Sequence, residues 1–269
     1  MIVDVTAPVL YNRRLSPHYN VIALGAPAIA AAARPGQFVM VKPAPGLEPL
    51  LRRPFSIFQV LRDAGGAPVG ITLLNKRVGI TTRQLFDARD GQHVACLGPL
   101  GRPFSLVAPG TEAWMVAGGV GLAPFATLAD ALIAKGVSMT LFYGGRSADD
   151  LFYTELFDEA GADLVLATED GTRGEHGFVT QPLDRALAAR GSRRVALFAC
   201  GPEPMLAAVA HIAHRRAVPC EVSVERVMGC GLGGCYSCVV PVRGNNGRPH
   251  FVRSCVDGPV FDAAALVWD

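Results

Sequence analysis

Four cysteines crowd into 26 residues near the C-terminus, as Cys230-x4-Cys235-x2-Cys238-x16-Cys255. A [2Fe–2S] cluster needs four thiolates, and C-x4-C-x2-C with a distant fourth cysteine is the plant-type spacing for one. Gly229, Gly231, Gly233 and Gly234 interleave with the first cysteines. They permit the sharp turns of a wrapping loop and bring backbone amides close enough to hydrogen-bond the sulfurs and tune their potential. Zinc is the structural rival, but its sites commonly use two C-x2-C knuckles and one such pair stands here; free thiols are the remaining alternative. The chain has seven cysteines in all, and Cys96, Cys200 and Cys220 stand alone. These read as small buried residues.

Four other segments could hold phosphate or a ring system. Gly118, Gly119 and Gly121 lie in Ala117-Gly118-Gly119-Val120-Gly121-Leu122-Ala123-Pro124, which follows an apolar run and opens a helical one. That placement suits a pyrophosphate, although it is not the G-x-G-x-x-G fingerprint; tight strand–helix packing would ask for the same glycines. Cys200, Gly201 and Pro202 begin a second loop of the same kind, Cys200-Gly201-Pro202-Glu203-Pro204-Met205. Earlier in the chain, Arg52-Arg53-Pro54-Phe55-Ser56-Ile57 opens a β-like run. An arginine fork can hold a diphosphate, Ser56 can donate to a flavin ring nitrogen, and Pro54 stiffens the approach. A solvated arginine pair ahead of a core strand is the plainer reading of the same residues. Gly79-Ile80-Thr81-Thr82 is a glycine–threonine turn opening a helix, which offers free amides to phosphate.

Arg146, in Tyr143-Gly144-Gly145-Arg146-Ser147, could meet a ribose or a 2′-phosphate, or simply face water. Glu169-Asp170-Gly171 and Gly174-Glu175-His176-Gly177 read as a polar loop beside the nucleotide, with His176 a surface histidine. His211 and His214 read as surface or cap residues, and Trp114 and Trp268 as packing residues. No Ser-His-Asp order and no paired-carboxylate site emerges, so no catalytic side chain is assigned.

The elements that must position these residues fall into three regions. Residues 1–107 carry short β-like runs, Met1–Val5, Asn20–Leu24, Gln37–Lys42, Phe55–Leu61, Gly70–Asn75 and Gln92–Leu97. Turn clusters such as Arg34-Pro35-Gly36, Ala44-Pro45-Gly46 and Asp63-Ala64-Gly65-Gly66 separate them, which predicts a small antiparallel barrel with one short helix near Thr81–Leu85. Residues 108–217 alternate strands (Ala113–Ala117, Ser138–Tyr143, Leu164–Thr168, Val195–Ala199) with helices (Pro124–Lys135, Asp149–Ala160, Pro204–Arg215), which predicts a parallel sheet covered by helices. Residues 218–269 hold the four cysteines in glycine-rich loops between short strands. The fold class expected is therefore mixed α and β: an antiparallel barrel, a central α/β domain and a small cluster domain. A net charge of +2 argues against binding through phosphate neutralisation of nucleic acid. Mean hydropathy is +0.30, yet no apolar run approaches the roughly 18–20 residues of a membrane span. The N-terminus, MIVDVTAPVL, has no basic start and no long apolar stretch, so no signal peptide and a reducing cytoplasmic setting are expected.

The order R-P-x-S, then G-G-x-G-x-x-P, then C-G-P-x-P-M resembles the ferredoxin–NADP reductase superfamily. The C-terminal block Glu225-Arg226-Val227-Met228-Gly229-Cys230-Gly231 through Cys238, with Cys255-Val256-Asp257-Gly258-Pro259-Val260-Phe261, resembles the electron-transfer subunits of class 1B dihydroorotate dehydrogenases. The resemblance runs over essentially the whole chain. It implies FAD in the barrel (1–107), NADH on the α/β domain (108–217) and a [2Fe–2S] cluster in the C-terminal domain (218–269). It implies FAD contacts at Arg53, Pro54, Phe55 and Ser56, a flavin nucleotide along Leu74, Asn75 and Lys76, and phosphates near Thr81 and Thr82. The family usually has Tyr-Arg where Asn75-Lys76 stands and glycine where Thr81 stands. It further implies an FMN-containing dihydroorotate dehydrogenase catalytic subunit as partner, in a heterotetramer. Related chains serve instead as diaphorase subunits of hydrogenases, sulfide dehydrogenases or transhydrogenases, and a zinc-bearing interaction module without redox activity is the reading from another class.

Overall fold

The computed structural model describes residues 1–43, 48–244 and 248–268; the turn expected at Ala44-Pro45-Gly46 lies outside them. The first region folds as β1 (Val3–Arg14), β2 (Tyr19–Leu24), α1 (Pro27–Ala32), β3 (Phe38–Lys42), β4 (Arg53–Ser56), β5 (Gln59–Arg62), β6 (Pro68–Lys76), α2 (Ile80–Asp87) and β7 (His93–Leu100). All pairings are antiparallel, in the order β4-β3-β7-β1-β2-β6-β5. The two end strands are consecutive in the chain. The run expected as one strand, Phe55–Leu61, breaks at Ile57-Phe58. There Ile57 N–H donates to Gln37 O (3.1 Å) and Phe58 N–H to Thr72 O (2.9 Å). The chain thus crosses from one end of the sheet to the other and curls it into a half-barrel around Val39, Val41, Ile71, Leu73 and Val94, all fully buried. β1 runs well past the expected Met1–Val5. Tyr11 to Arg14 keep pairing with β2 beyond a bulge, although their polar side chains break the apolar signal.

The second region folds as β8 (Glu112–Gly118), α3 (Ala123–Ile133), β9 (Met139–Gly145), α4 (Thr154–Glu159), β10 (Ala162–Thr168), β11 (Glu175–His176), α5 (Thr180–Ala188), β12 (Val195–Cys200) and α6 (Glu203–Arg216), followed by β13 (Cys220–Ser223). Its parallel sheet is ordered β11-β10-β9-β8-β12-β13. Successive strands move outward from β8 in one direction, then outward from β12 in the other. The direction reverses between β8 and β12, which places the crevice that binds ligands in such sheets at their carboxyl ends. α4 is shorter than the expected Asp149–Ala160. Tyr153 takes a left-handed φ of 59°, so the helix starts at Thr154, while Asp149 and Asp150 form a single 3₁₀ turn.

The remainder is the hairpin β14 (Val239–Arg243) with β15 (Pro249–Arg253), then α7 (Ser254–Asp257) and β16 (Val260–Asp262). β13 and β16, within 218–269, extend the central sheet, β16 as its antiparallel edge. The cysteine loop packs on the barrel wall: Met228, Cys238 and Cys255 form one apolar cluster with Phe38, Met40 and Leu100. Among the described residues no helix is long and apolar enough to cross a membrane.

Candidate functional site: two adjoining clefts and a cysteine cage

A cleft of about 470 Å³ opens at the carboxyl ends of β8, β9 and β12 and is lined by Gly118, Gly119, Gly144, Gly145, Arg146, Phe178 and Pro202, among others. The two glycine loops that bound it approach backbone to backbone. A Cβ on Gly121 would lie 2.2 Å from Cys200 O, and one on Gly201 would lie 3.0 Å from Gly118 N. Gly119 has φ +54° with no atom within 4 Å of an added Cβ, so its bare Cα faces open space in the cleft. This is the close backbone approach that a pyrophosphate needs, and the residues fit a dinucleotide. Sequence reasoning did not single out Tyr19, Asp150 or Phe178 on this wall. Phe178 is an exposed ring beside Gly177, and the signal for it was its place in the polar loop after β10.

Asp150 ties this wall to the barrel. It accepts from Tyr19 Oη, lies 3.8 Å from Lys76 Nζ, and accepts from the Arg146 backbone N–H (3.3 Å) and Nε (3.4 Å). Burial opposes its ionisation. The Tyr19 hydroxyl, Lys76 and Arg146 outweigh burial and hold the carboxyl below the usual aspartate value. Tyr19, buried and facing this carboxylate, is pushed up. His176 sits on the exposed edge strand β11, and His211 and His214 are exposed on α6.

A larger cleft of about 990 Å³ lies between β4, β6, α2 and the segment after β13. Arg53, Pro54, Phe55, Ser56, Leu74, Lys76, Thr81 and Thr82 all line it. Arg52 does not. Its guanidinium turns back to Asp4 at 2.8 Å. Asn75 is also absent from the wall. Strand alternation puts Leu74 and Lys76 on the cleft face and Asn75 behind it. There its Nδ2 donates to Asn20 Oδ1 (2.7 Å) and to Thr82 O (2.9 Å) under α2. The Thr82 hydroxyl accepts from Val78 N–H and Gly79 N–H, both at 2.8 Å. It therefore caps the helix, leaving the first amides of α2 itself without intrahelical acceptors. A cleft of this size with a cationic side chain at Arg53 and a helix start at Gly79–Thr82 fits a flavin dinucleotide.

Val120, Lys76 and Glu225 line both clefts, so the two spaces adjoin. Cys200, at the end of β12, is buried on the larger cleft's side of this junction. Glu225 follows β13 at the sheet's carboxyl edge. Its position in the concave wall raises its pKa by desolvation. Sequence reasoning met Glu225 only as part of the cysteine block.

The four clustered cysteines come together in pairs. Cys230 stands beside Cys235, and Cys238 beside Cys255, with Cys230 also near Cys255. Among the described residues no three His, Cys, Asp or Glu side chains converge on a single-ion point. Two adjacent thiol pairs fit a two-iron cluster, which takes two thiolates on each iron. Leu232 N–H donates to Cys230 Sγ at 3.4 Å. Cys238 and Cys255 are buried against the barrel, Cys230 is half-buried and Cys235 is exposed. Phe38 and Met228 belong both to this apolar packing and to the wall of the larger cleft, so one layer of side chains separates the two sites. Cys96, Cys200 and Cys220 are buried, and burial pushes the Cys96 thiol up to about 12.

Residues 115–211 match the model of the oxidoreductase NAD-binding domain, and residues 225–267 match that of the iron–sulfur cluster binding domain of dihydroorotate dehydrogenase B. Among solved structures, a chain of an NADH-dependent reduced ferredoxin–NADP oxidoreductase superposes with a TM-score of 0.84 at 28% identity, covering 98% of this chain and 91% of that one. The ferredoxin reductase of carbazole 1,9a-dioxygenase superposes with a TM-score of 0.69 at 27% identity, over 81% of this chain and 66% of that one. Fold and site thus define a nicotinamide-dependent oxidoreductase of the ferredoxin-reductase type with an appended iron–sulfur domain. The dihydroorotate dehydrogenase B (NAD(+)) electron transfer subunit of Desulforamulus reducens is 36% identical over 263 residues, 98% of each chain. That of a Geobacillus species is 39% identical over 236 residues, 87% of this chain and 86% of its own. The chain belongs to this family of electron transfer subunits.

Proposed function

We propose that this chain takes electrons from NADH, passes them through FAD and a [2Fe–2S] cluster, and delivers them to the FMN of a dihydroorotate dehydrogenase catalytic chain in the conversion of dihydroorotate to orotate. The observation that carries this reading is adjacency. The dinucleotide cleft opens onto the flavin cleft at Val120, Lys76 and Glu225, and the flavin cleft is one side-chain layer from the cysteine pairs. A flavin supplies the exchange between two-electron hydride chemistry and one-electron chemistry, which nicotinamide and iron–sulfur centres cannot do for each other.

The chain's own residues position and enclose. Gly118, Gly119 and Gly121, with Cys200, Gly201 and Pro202, shape the nicotinamide nucleotide's seat. Arg53, Pro54, Phe55 and Ser56 hold the flavin side, with Leu74 and Lys76 along it and Thr81 and Thr82 framing the helix start; Asn75 supports α2 from behind. Cys230, Cys235, Cys238 and Cys255 hold the cluster. The reading assigns one redox carrier to each of the regions 1–107, 108–217 and 218–269, and it places the chain in the cytoplasm, in a heterotetramer with its catalytic partner.

The similarity to the ferredoxin–NADP oxidoreductase chain favours a second reading, in which the same carriers serve another acceptor. Co-expression with a dihydroorotate dehydrogenase catalytic chain separates the two. The complex is expected to co-purify and to reduce NAD+ with dihydroorotate, whereas neither chain does so alone. Cys230→Ser is expected to remove the cluster signals while NADH still bleaches the flavin. No co-purification and no dihydroorotate-dependent NAD+ reduction would assign the chain to another acceptor. One zinc per chain in place of iron and labile sulfide would refute the redox reading.

A further inference from the structure

Ser237 lies between two cluster cysteines, yet its side chain does not point to solvent alone. Its Oγ accepts a hydrogen bond from Gly229 N–H at 2.9 Å and lies 3.2 Å from Cys235 Sγ. An iron-bound thiolate carries no proton, so between these two atoms only the hydroxyl can donate. Accepting from Gly229 occupies one side of the oxygen and turns its proton toward the sulfur. Gly229 makes this approach possible, because a Cβ there would sit 3.2 Å from Cys235 Sγ and 3.4 Å from Ser237 Oγ.

We propose that Ser237 tunes the redox centre on these four cysteines by donating its hydroxyl to the Cys235 sulfur, raising the reduction potential at the exposed edge of the cage. The inference rests on the [2Fe–2S] reading above. Reduction of a centre held by these four cysteines would add one unit of negative charge to it. A hydrogen bond to a sulfur stabilises that reduced form more than the oxidised one. The four sulfurs differ in this respect. Cys238 and Cys255 face the barrel's apolar wall, whereas Cys235 is exposed and has a hydroxyl donor held in place. The side-chain donor therefore acts on the less buried pair, Cys230 and Cys235.

The test uses the purified full chain with its flavin and cluster. Iron and labile sulfide are measured first, then the cluster is titrated against potential by the amplitude of its reduced EPR signal, for wild type, Ser237→Ala and Ser237→Thr. Ser237→Ala is expected to shift the cluster midpoint to lower potential, Ser237→Thr to retain the wild-type value, and the flavin midpoint to stay the same in all three. An unshifted Ser237→Ala cluster, or a Ser237→Thr shift as large as that of alanine, would overturn the proposal. If Ser237→Ala does not retain the cluster, Ser237→Gly removes the same hydroxyl without a methyl against Gly229; cluster loss from both would assign Ser237 a purely structural role and overturn the proposal. Wild type without iron and labile sulfide would instead defeat the [2Fe–2S] reading itself.

Discussion

At the scale of single residues, glycines beside the nucleotide cleft do two different jobs that look alike in sequence. Gly121 gives way to another loop's backbone, since its Cβ would lie 2.2 Å from Cys200 O and 2.5 Å from Cys200 C. Gly119 gives way to open space and holds a left-handed φ. Gly121→Ala is therefore expected to destabilise the fold by about 1–3 kcal/mol, because backbone on both sides must move. Gly119→Ala is expected to cost about 1 kcal/mol through its φ, and to weaken NAD+ binding out of proportion to that loss. Melting temperature and NAD+ titration calorimetry on both variants read the contrast; equal melting temperatures with equal affinities would refute it. The sequence made the glycine loops visible because they sit between strand and helix signals. It could not rank the glycines, since the ranking depends on which loop stands opposite. The clustering of the four cysteines was legible from spacing alone. Ser237 was not, because its donor geometry depends on Gly229 eight positions earlier.

At the scale of elements, α2 shows how a threonine read as a phosphate neighbour can be spent on its own helix. The hydroxyl of Thr82 accepts from both Val78 N–H and Gly79 N–H, which fixes the turn between β6 and α2. Thr82→Val keeps the shape and removes this acceptor. It is expected to destabilise the protein by about 1 kcal/mol, the usual worth of a helix cap, and to loosen flavin retention. Thr82→Ser is expected to restore both. Urea denaturation and flavin release on dilution check this; full flavin retention in Thr82→Val would show that the turn's order does not matter to the cleft. Alternating apolar runs made most strands legible, and the helix periodicity did the same for α3 and α6. The missed features were tertiary. Polar Tyr11–Arg14 extend β1 because β2 lies alongside. Phe55–Leu61 splits because its two halves serve opposite ends of the curled sheet. Asn75 faces away from the cleft because its neighbours on β6 already face it.

At the scale of the whole molecule, one of the contacts between the half-barrel and the α/β region is a short segment, Asp150 to Tyr153. Phe152 packs on Tyr19 with ring centroids 4.7 Å apart, and Tyr153 meets Phe58 edge-on at 4.8 Å. Asp150 accepts from Tyr19 and faces Lys76 on the barrel while holding Arg146 on its own side. No local pattern in the sequence reports such a joint, since its partners stand more than seventy positions away. Asp150→Asn keeps the shape and an acceptor for Tyr19 but removes the charge that Lys76 and Arg146 share. With the Asp150 side chain 11% exposed, this is expected to cost about 1–3 kcal/mol at neutral pH, the range for a hydrogen-bonded charge that loses its partner. The pH dependence has a definite sign. A carboxyl whose native pKa is depressed stabilises the fold above its unfolded value, near about 3.9, and loses that contribution as pH falls through the native value. The stability gap between wild type and Asp150→Asn should accordingly be full at neutral pH, begin to shrink below about pH 4, and close as the native carboxyl protonates. Melting curves of both proteins across that range measure it. A gap that stays constant into acid would mean that the Asp150 charge does not contribute to this joint and that the shape of its side chain does.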